Sequence, residues 1–231
     1  MKKLATATAA LLFSATTALG GTLVLAEPEP VVYTPAPAPA FSWTGGYVGL
    51  FGGMVTGSNF WVERGADGES EPDNWSGTPW GVMLGYNVQR DNMVFGGEFD
   101  YTGGALRAES TTSANFNCAA GEGCPTEVDR LMSLRARLGV TQDRTLFYAT
   151  LGAAHGRVTA ETVAFGVHGQ ENRTGWSAGA GIEHAITDNF TVRGEYIHTD
   201  LGRTELPDSC ISDCFTDVSF GVFRIGGAFR F

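Results

Sequence analysis

The chain is poor in positive charge, and in lysine above all. Its 231 residues carry a formal net charge of −10 at pH 7, and its two lysines, Lys2 and Lys3, stand at the extreme N-terminus. A protein that binds nucleic acid needs a basic face to neutralise phosphates. We therefore expect no nucleic-acid partner.

Long apolar runs are absent after residue 26. A membrane-spanning helix needs about 20 apolar residues, so none is expected in that part of the chain. The uncharged residues 4–26 follow a basic start and end on small residues, the order typical of a secretory signal peptide. We predict a signal peptide over residues 1–26 with cleavage after Ala26; residues 18–20 are an earlier candidate site, and a retained helical anchor is the alternative. No cysteine lies near the site, so a bacterial lipid anchor is not expected.

Residues 27–40 and the cysteines carry the next two predictions. The sequence EPEPVVYTPAPAPA at 27–40 is proline-rich and predicts an extended, disordered periplasmic tether. Cysteine is scarce, with two close pairs: Cys118 with Cys124, and Cys210 with Cys214. An even number in an exported chain favours disulfides, either within the pairs or between them. Zinc is the alternative, but zinc pairs are usually spaced closer than C-x5-C, so we predict no metal site.

What the chain does have is glycine, 32 residues, dispersed through segments of alternating character. Alternation with a period of two marks a strand, because successive side chains leave it on opposite faces. Near the C-terminus one face carries apolar residues or glycine while Arg224 and Arg230 lie on the other. The same alternation predicts eight strands, at about 43–54, 80–89, 93–102, 132–140, 147–153, 176–183, 190–196 and 218–231. The first has no clear parity, because both of its faces are apolar or glycine.

The connections between these segments fall into two classes. Three are tight turns, at 89–92, 141–144 and 187–189, and four are long, polar and predicted to be irregular, at about 55–79, 103–129, 157–174 and 201–217. Short turns at one end and long loops at the other are typical of outer-membrane barrels, whose closure leaves no unpaired edge in lipid. We predict an all-β, eight-stranded antiparallel up-and-down transmembrane barrel over residues 41–231, with short periplasmic turns and long extracellular loops.

Several segments resemble a known family. The stretches WTGGYVGLFGG (43–53), FGGEFDY (95–101), LRARLGV (134–140) and GWSAGAGIEHAITDNFTVRGEYIHTDLG (175–202), with the terminal phenylalanine, resemble small eight-stranded outer-membrane proteins of Gram-negative bacteria. The alphaproteobacterial branch labelled outer membrane protein beta-barrel domain, or porin family, is the most similar; the OmpA transmembrane domain and the Opa and Ail adhesins are more distant. The resemblance implies that the barrel-assembly machinery reads the last strand. The residues of that signal are Phe223, Ile225, Gly227, Phe229 and Phe231.

The inward faces of the predicted strands carry four acids and four bases. They are Glu98, Asp100, Arg135, Arg137, Glu183, Arg193, Glu195 and Arg224. An eight-stranded barrel is only just wide enough for its own side chains, so we expect these charges to pair and to plug the interior. An aqueous pore, and so a narrow porin, is the alternative.

The remaining candidates for chemistry are weak. His198, Thr199 and Asp200 form the one suggestive cluster for an outer-membrane hydrolase, and we predict no enzyme activity and no cofactor. The aromatic residues near strand ends are expected at the membrane interfaces. They are Trp43, Trp80, Tyr86, Trp176, Phe190, Tyr196 and Phe231.

The predicted function is a structural, membrane-stabilising barrel that displays loops at the surface of a Gram-negative bacterium. Its expected partners are outer-membrane lipids, lipopolysaccharide and the barrel-assembly machinery. The alternative to that role, besides a narrow porin, is a surface binding module whose loops at 103–129 and 201–217 recognise host surfaces or hemin.

Overall fold

The computed structural model describes residues 41–63, 73–104, 106–110, 124–162, 167–206 and 214–231. These residues form eleven antiparallel strands. Eight are long: β1 (Gly45–Thr56), β4 (Trp80–Arg90), β5 (Met93–Gly103), β7 (Cys124–Gln142), β8 (Thr145–Thr162), β9 (Val167–Ala185), β10 (Phe190–Leu206) and β11 (Cys214–Arg230). Three are short: β2 (Ser58–Glu63), β3 (Asp73–Ser76) and β6 (Leu106–Ser110).

The eight long strands pair in chain order, and the ring closes between its first and last members. In β1 and β11 the pairs run from Tyr47 with Arg230 to Thr56 with Gly221. The predicted eight-stranded barrel is confirmed. The described residues contain no helix that could serve as an apolar membrane span.

Alternation along each strand separates the two faces of the wall. Leu134 and Leu138 of β7 are 65% and 49% exposed, whereas the intervening Arg135 and Arg137 are 2% exposed. Outward apolar side chains of this kind cover the barrel, as lipid contact requires. The structure also shows which face of β1 points inward, a question that the sequence left open. Tyr47, Phe51 and Val55 face the lumen.

Tight turns join the long strands at one end of the barrel. Asp91 and Asp143 adopt left-handed backbone conformations, with φ of 54° and 53°. Aspartate tolerates that conformation better than most residues, which suits it to short hairpin turns. In the third turn the hydroxyl of Thr187 accepts hydrogen bonds from the backbone N–H groups of Asn189 and Phe190.

The wall extends further than expected at the opposite end. Ranges predicted as irregular contain β2, β3 and β6 and the outer parts of β7 to β11. The short strands join the wall through pairs between β11 and β2, β2 and β3, β3 and β6, and β6 and β7. The sequence analysis missed these strands because their outward residues are polar, as in loops, and their apolar residues, such as Leu106 and Ala108, face inward instead of towards lipid.

Breaks interrupt neighbouring strands where this extension begins. Gly57 separates β1 from β2 and Gly104 lies between β5 and β6, with φ of 119° and 89°. Glycine adopts such angles without the steric cost that a Cβ imposes. Residues 129 of β7 and 201–202 of β10 lie within shifts of strand register. We call the part of the wall on the turn side of these breaks the inner ring, and the part on the loop side the outer ring. The pairing of β8 with β9 runs through both parts without a shift.

Candidate functional site

The inner ring places eight charged side chains inside the barrel. They are Glu98 and Asp100 of β5, Arg135 and Arg137 of β7, Glu183 of β9, Arg193 and Glu195 of β10, and Arg224 of β11. These are the eight residues that the alternation assigns to inward faces, and each is at most 5% exposed. We call this set the charge network. Its four carboxylates and four guanidinium groups give it a formal charge of zero.

Glu98 is the centre of the network. Its Oε1 lies 2.8 Å from Nη2 of Arg135 and 3.4 Å from Nη2 of Arg224. Its Oε2 pairs with Nη1 of Arg193 and accepts a hydrogen bond of 2.7 Å from the hydroxyl of Tyr47. One carboxylate thereby binds donors from β1, β7, β10 and β11 across the lumen.

Two further carboxylates complete the loop-side part of the network. Glu195 lies 2.7 Å from Nε of Arg224. Asp100 lies 2.7 Å from Arg135 and 3.2 Å from Arg224. The Arg224 guanidinium also lies 4.2 Å from the centre of the Phe51 ring, a cation–π contact. Each charge has an opposite neighbour, which offsets the cost of removing it from water.

The turn-side part of the network centres on Arg137 and Glu183. Arg137 pairs through Nη2 with Glu183 and stacks at 3.7 Å on the ring of Tyr148. The other Glu183 oxygen accepts a 2.6 Å hydrogen bond from Thr191. Arg193 bridges to this group, because its Nε lies 3.8 Å from Glu183.

Three uncharged partners were not singled out from the sequence: Tyr47, Phe51 and Tyr148. All three are buried against the arginines of the network. Tyr148 shared its predicted inward face with Thr150, so an aromatic at an inward position was the available signal. Tyr47 and Phe51 lie on β1, whose parity the sequence left open.

An apolar turn-end cluster covers the network on the turn side. It consists of Trp43, Val94, Leu146, Tyr148 and Ala185, with Phe41 packed against it. Trp43 was expected at the membrane interface, and that assignment is wrong, because its side chain is fully buried. The backbone N–H of Trp43 donates a 2.7 Å hydrogen bond to Gln89, which draws the segment before β1 into the barrel mouth.

Arg230 fixes the same segment from the last strand. Its Nη2 donates a 2.8 Å hydrogen bond to the carbonyl of Ser42. Its guanidinium lies 4.8 Å from the ring centre of Phe41 and 5.1 Å from that of Trp43. Both chain ends of the barrel therefore meet at the turn-end cluster.

Towards the loops the lumen first carries hydroxyls and then becomes apolar. Thr102, Ser133, Thr150, Ser177 and Thr199 are buried next to the network. Beyond them lies the loop-end cluster, made of Val55, Trp75, Leu106, Ala108, Val128, Leu131, Ala154, Val158, Leu201, Val218, Phe220 and Val222. The Trp75 and Phe220 rings are 5.3 Å apart. A lumenal cavity of about 10 Å³ lies between network and cluster, room for roughly one water molecule.

The outer face holds the residues predicted to form the assembly signal. Phe223, Ile225 and Phe229 share one face of β11 with Gly227, and Phe231 directly follows the strand; the four aromatic and aliphatic side chains are 53–77% exposed. A groove of about 720 Å³ on this lipid-facing surface has Gly52, Ala180 and Gly194 among its lining residues. The remaining predicted interface aromatics, Trp80, Tyr86, Trp176, Phe190, Tyr196 and Phe231, are exposed.

The three residues of the histidine cluster do not share one face of β10. His198 packs against Trp176 with 5.4 Å between ring centres, whereas Thr199 is buried on the inward side. No group of three or more metal-binding side chains occurs among the residues that the structure describes. The structure does not describe residues 1–40, so the signal peptide and the tether stay predictions. The disulfides also stay predictions, because the described part of the chain excludes Cys118, Cys210 and the side chains of Cys124 and Cys214.

Comparison with known proteins agrees with this geometry. Residues 30–231 match the family model for the outer membrane protein beta-barrel domain. The chain belongs to this family. It is 35% identical over 247 residues to the 31 kDa outer-membrane immunogenic protein of Brucella melitensis, covering 100% of both chains. It is also 32% identical over 237 residues to the 25 kDa outer-membrane immunogenic protein of the same organism, covering 100% of this chain and 99% of that one.

A solved structure supports the fold independently of sequence. The outer membrane protein OprG from Pseudomonas aeruginosa is 14% identical, with a TM-score of 0.59 over 81% of this chain and 96% of that one. The predicted family and the Gram-negative outer-membrane location are confirmed. The turn end of this family member is therefore periplasmic, and its loop end is extracellular.

Proposed function

We propose that the protein is a non-conducting structural barrel that stabilises the outer membrane. The observation that carries this proposal is the charge network, in which eight buried charges pair with one another across the lumen. The turn-end and loop-end clusters lie on either side of it, so a crossing ion would meet two apolar layers and a neutral, internally paired one.

The energetics favour a closed interior. Opening a path through the network would separate buried ion pairs, and leaving one buried charge without its partner costs about 3–5 kcal/mol. The lumenal cavity of about 10 Å³ is also far smaller than a hydrated ion. A narrow porin would need several of these pairs to part at once.

Single-channel recording tests the proposal. The refolded barrel, with insertion verified by heat-modifiable gel mobility, is added to a planar lipid bilayer in which a known porin serves as the positive control. We expect no conductance steps above leak. Reproducible steps from the purified barrel would reject the closed interior and favour the narrow porin.

A second role, surface display, is favoured by strand length. The strands β7, β8 and β9 contain 19, 18 and 19 residues, whereas about 9–11 residues suffice to cross a bilayer. The outer parts of these strands therefore extend beyond the lipid surface. The two Brucella relatives are named as immunogenic proteins, which is consistent with exposure of such loops.

Epitope insertion tests the display role. A tag placed within residues 111–123 should be stained by antibody on intact cells, whereas the same tag placed between Asp91 and Asn92 should be stained only after permeabilisation. The reverse pattern would contradict the proposed orientation. Recognition of host surfaces or hemin by the loops stays a prediction. Deletion of residues 111–123 should abolish it if it occurs there.

A further inference from the structure

Two arginines face each other across strands on the outer surface of the wall. Arg130 of β7 and Arg157 of β8 are directly paired in the strand register. Arg130 is exposed and Arg157 half-buried. Neither guanidinium forms an ion pair or hydrogen bond with any residue that the structure describes. Like charges directly opposite each other destabilise a sheet, so binding of an anion between the two guanidinium groups would stabilise this pair.

The acids nearby do not supply it. Glu127 is already paired with Arg107 at 3.1 Å. Asp129 is the extra residue where the register of β7 shifts, and it makes no ion pair with either arginine. On the other side of Arg157, β9 presents the neutral Asn172 as the strand partner. Among the side chains that the structure describes, the two positive charges therefore stand next to each other without a counter-ion.

Their height on the wall indicates which anion reaches them. The next outward residue of β7 towards the periplasm is Met132, which is 42% exposed, and Trp80 and Trp176 of the same apolar band are 59% and 46% exposed. The arginines follow this band on its extracellular side, where the outer-leaflet headgroups lie. Trp and Tyr residues mark such interfaces, and arginine just beyond them reaches headgroup phosphates.

We propose that Arg130 and Arg157 form a binding site for a phosphate group of lipopolysaccharide. Guanidinium groups bind phosphate oxygens with two parallel hydrogen bonds, and two such groups on adjacent strands can clasp one phosphate. The occupant is assigned to lipopolysaccharide because the site opens into the outer leaflet, which that lipid fills. The site lies outside the barrel and is independent of whether the lumen conducts.

The test compares binding of lipid A to the folded full-length barrel in a zwitterionic detergent, measured by native mass spectrometry. Wild-type barrel should bind lipid A with intact phosphates. The double variant R130Q/R157Q should bind it at least about tenfold more weakly, because two charge-assisted contacts are lost. The matched control R90Q/R144Q removes the same charge at the periplasmic turns and should bind as the wild type does.

Three outcomes would overturn the proposal. Equal weakening in R130Q/R157Q and R90Q/R144Q would reduce the effect to net charge. Equal binding of phosphorylated and dephosphorylated lipid A by the wild type, which needs no variant, would remove the phosphate from recognition. Displacement of lipid A by inorganic phosphate or by phosphatidylglycerol at equal concentration would assign the site to a different source of phosphate. Heat-modifiable mobility verifies that each variant is folded.

Discussion

Replacing Glu98 by glutamine removes one negative charge from a lumen whose charges otherwise cancel. Of the three arginines that Glu98 binds, Arg135 keeps Asp100 at 2.7 Å and Arg224 keeps Glu195 at 2.7 Å. Arg193 keeps only carboxylates at 3.8 Å, on Glu183 and Glu195. The substitution therefore leaves one buried guanidinium, that of Arg193, without a close carboxylate partner. This should lower the free energy of unfolding by about 3–5 kcal/mol.

Urea unfolding in lipid vesicles, followed by tryptophan fluorescence, measures this loss. The matched control is Glu127→Gln, which removes the same charge from the exposed pair with Arg107 and should cost at most about 1 kcal/mol. Because the stranded group is Arg193, the double variant Glu98→Gln with Arg193→Gln should recover part of the loss, a coupling of about 1 kcal/mol or more. A Glu98→Gln loss no larger than that of Glu127→Gln, or a double variant with strictly additive losses, would refute the network as described.

Three further predictions concern the chain ends and the cysteines. Trp43→Ala should cost about 3–5 kcal/mol in the same urea assay because it empties a buried site, whereas the exposed Trp80→Ala should cost less; equal losses would contradict the turn-end cluster. Deleting Phe231 removes the two backbone hydrogen bonds with Gly46 and should reduce the heat-modifiable fraction, whereas Phe231→Ala keeps those bonds and loses only the ring. Normal assembly of the deletion would show that neither closure nor the terminal signal depends on Phe231. Maleimide labelling of the denatured, unreduced protein should find no free thiol, and any labelled cysteine would disprove the disulfides.

Much of the inner ring can be predicted from sequence because lipid and lumen impose opposite demands on alternate residues. On β7 this contrast alone assigns Arg135 and Arg137 to the interior. The ion-pair partner of each charged side chain cannot be predicted in this way. Glu98 and Arg193 are 95 residues apart in the chain, and their contact depends on the shear of the closed barrel, which no local pattern encodes.

Strand positions were not predicted correctly where lipid-facing and lumen-facing residues differ little in hydrophobicity. Glycine is abundant on β1, which weakens the difference between its two faces, so the inward positions of Tyr47 and Phe51 were not evident. Trp43 looked like an interface aromatic because its burial depends on Gln89 and Arg230, residues far away in sequence. The outer ring was missed because its outward residues are polar, as loop residues are, and its apolar residues face the loop-end cluster instead of lipid.

The shift of register between the inner and outer rings has a consequence for how this sequence can vary. On β11 the pairing with β1 ends at Gly221 and the pairing with β2 begins at Asp217, while the pairing with β10 shifts over the same residues. Insertions and deletions in the extracellular segments can be absorbed at these shifts, so they need not turn lipid-facing residues of the inner ring towards the lumen. The parts of one strand inside and outside the membrane can therefore evolve at different rates, and changes in the part outside need not disturb the packing within the membrane.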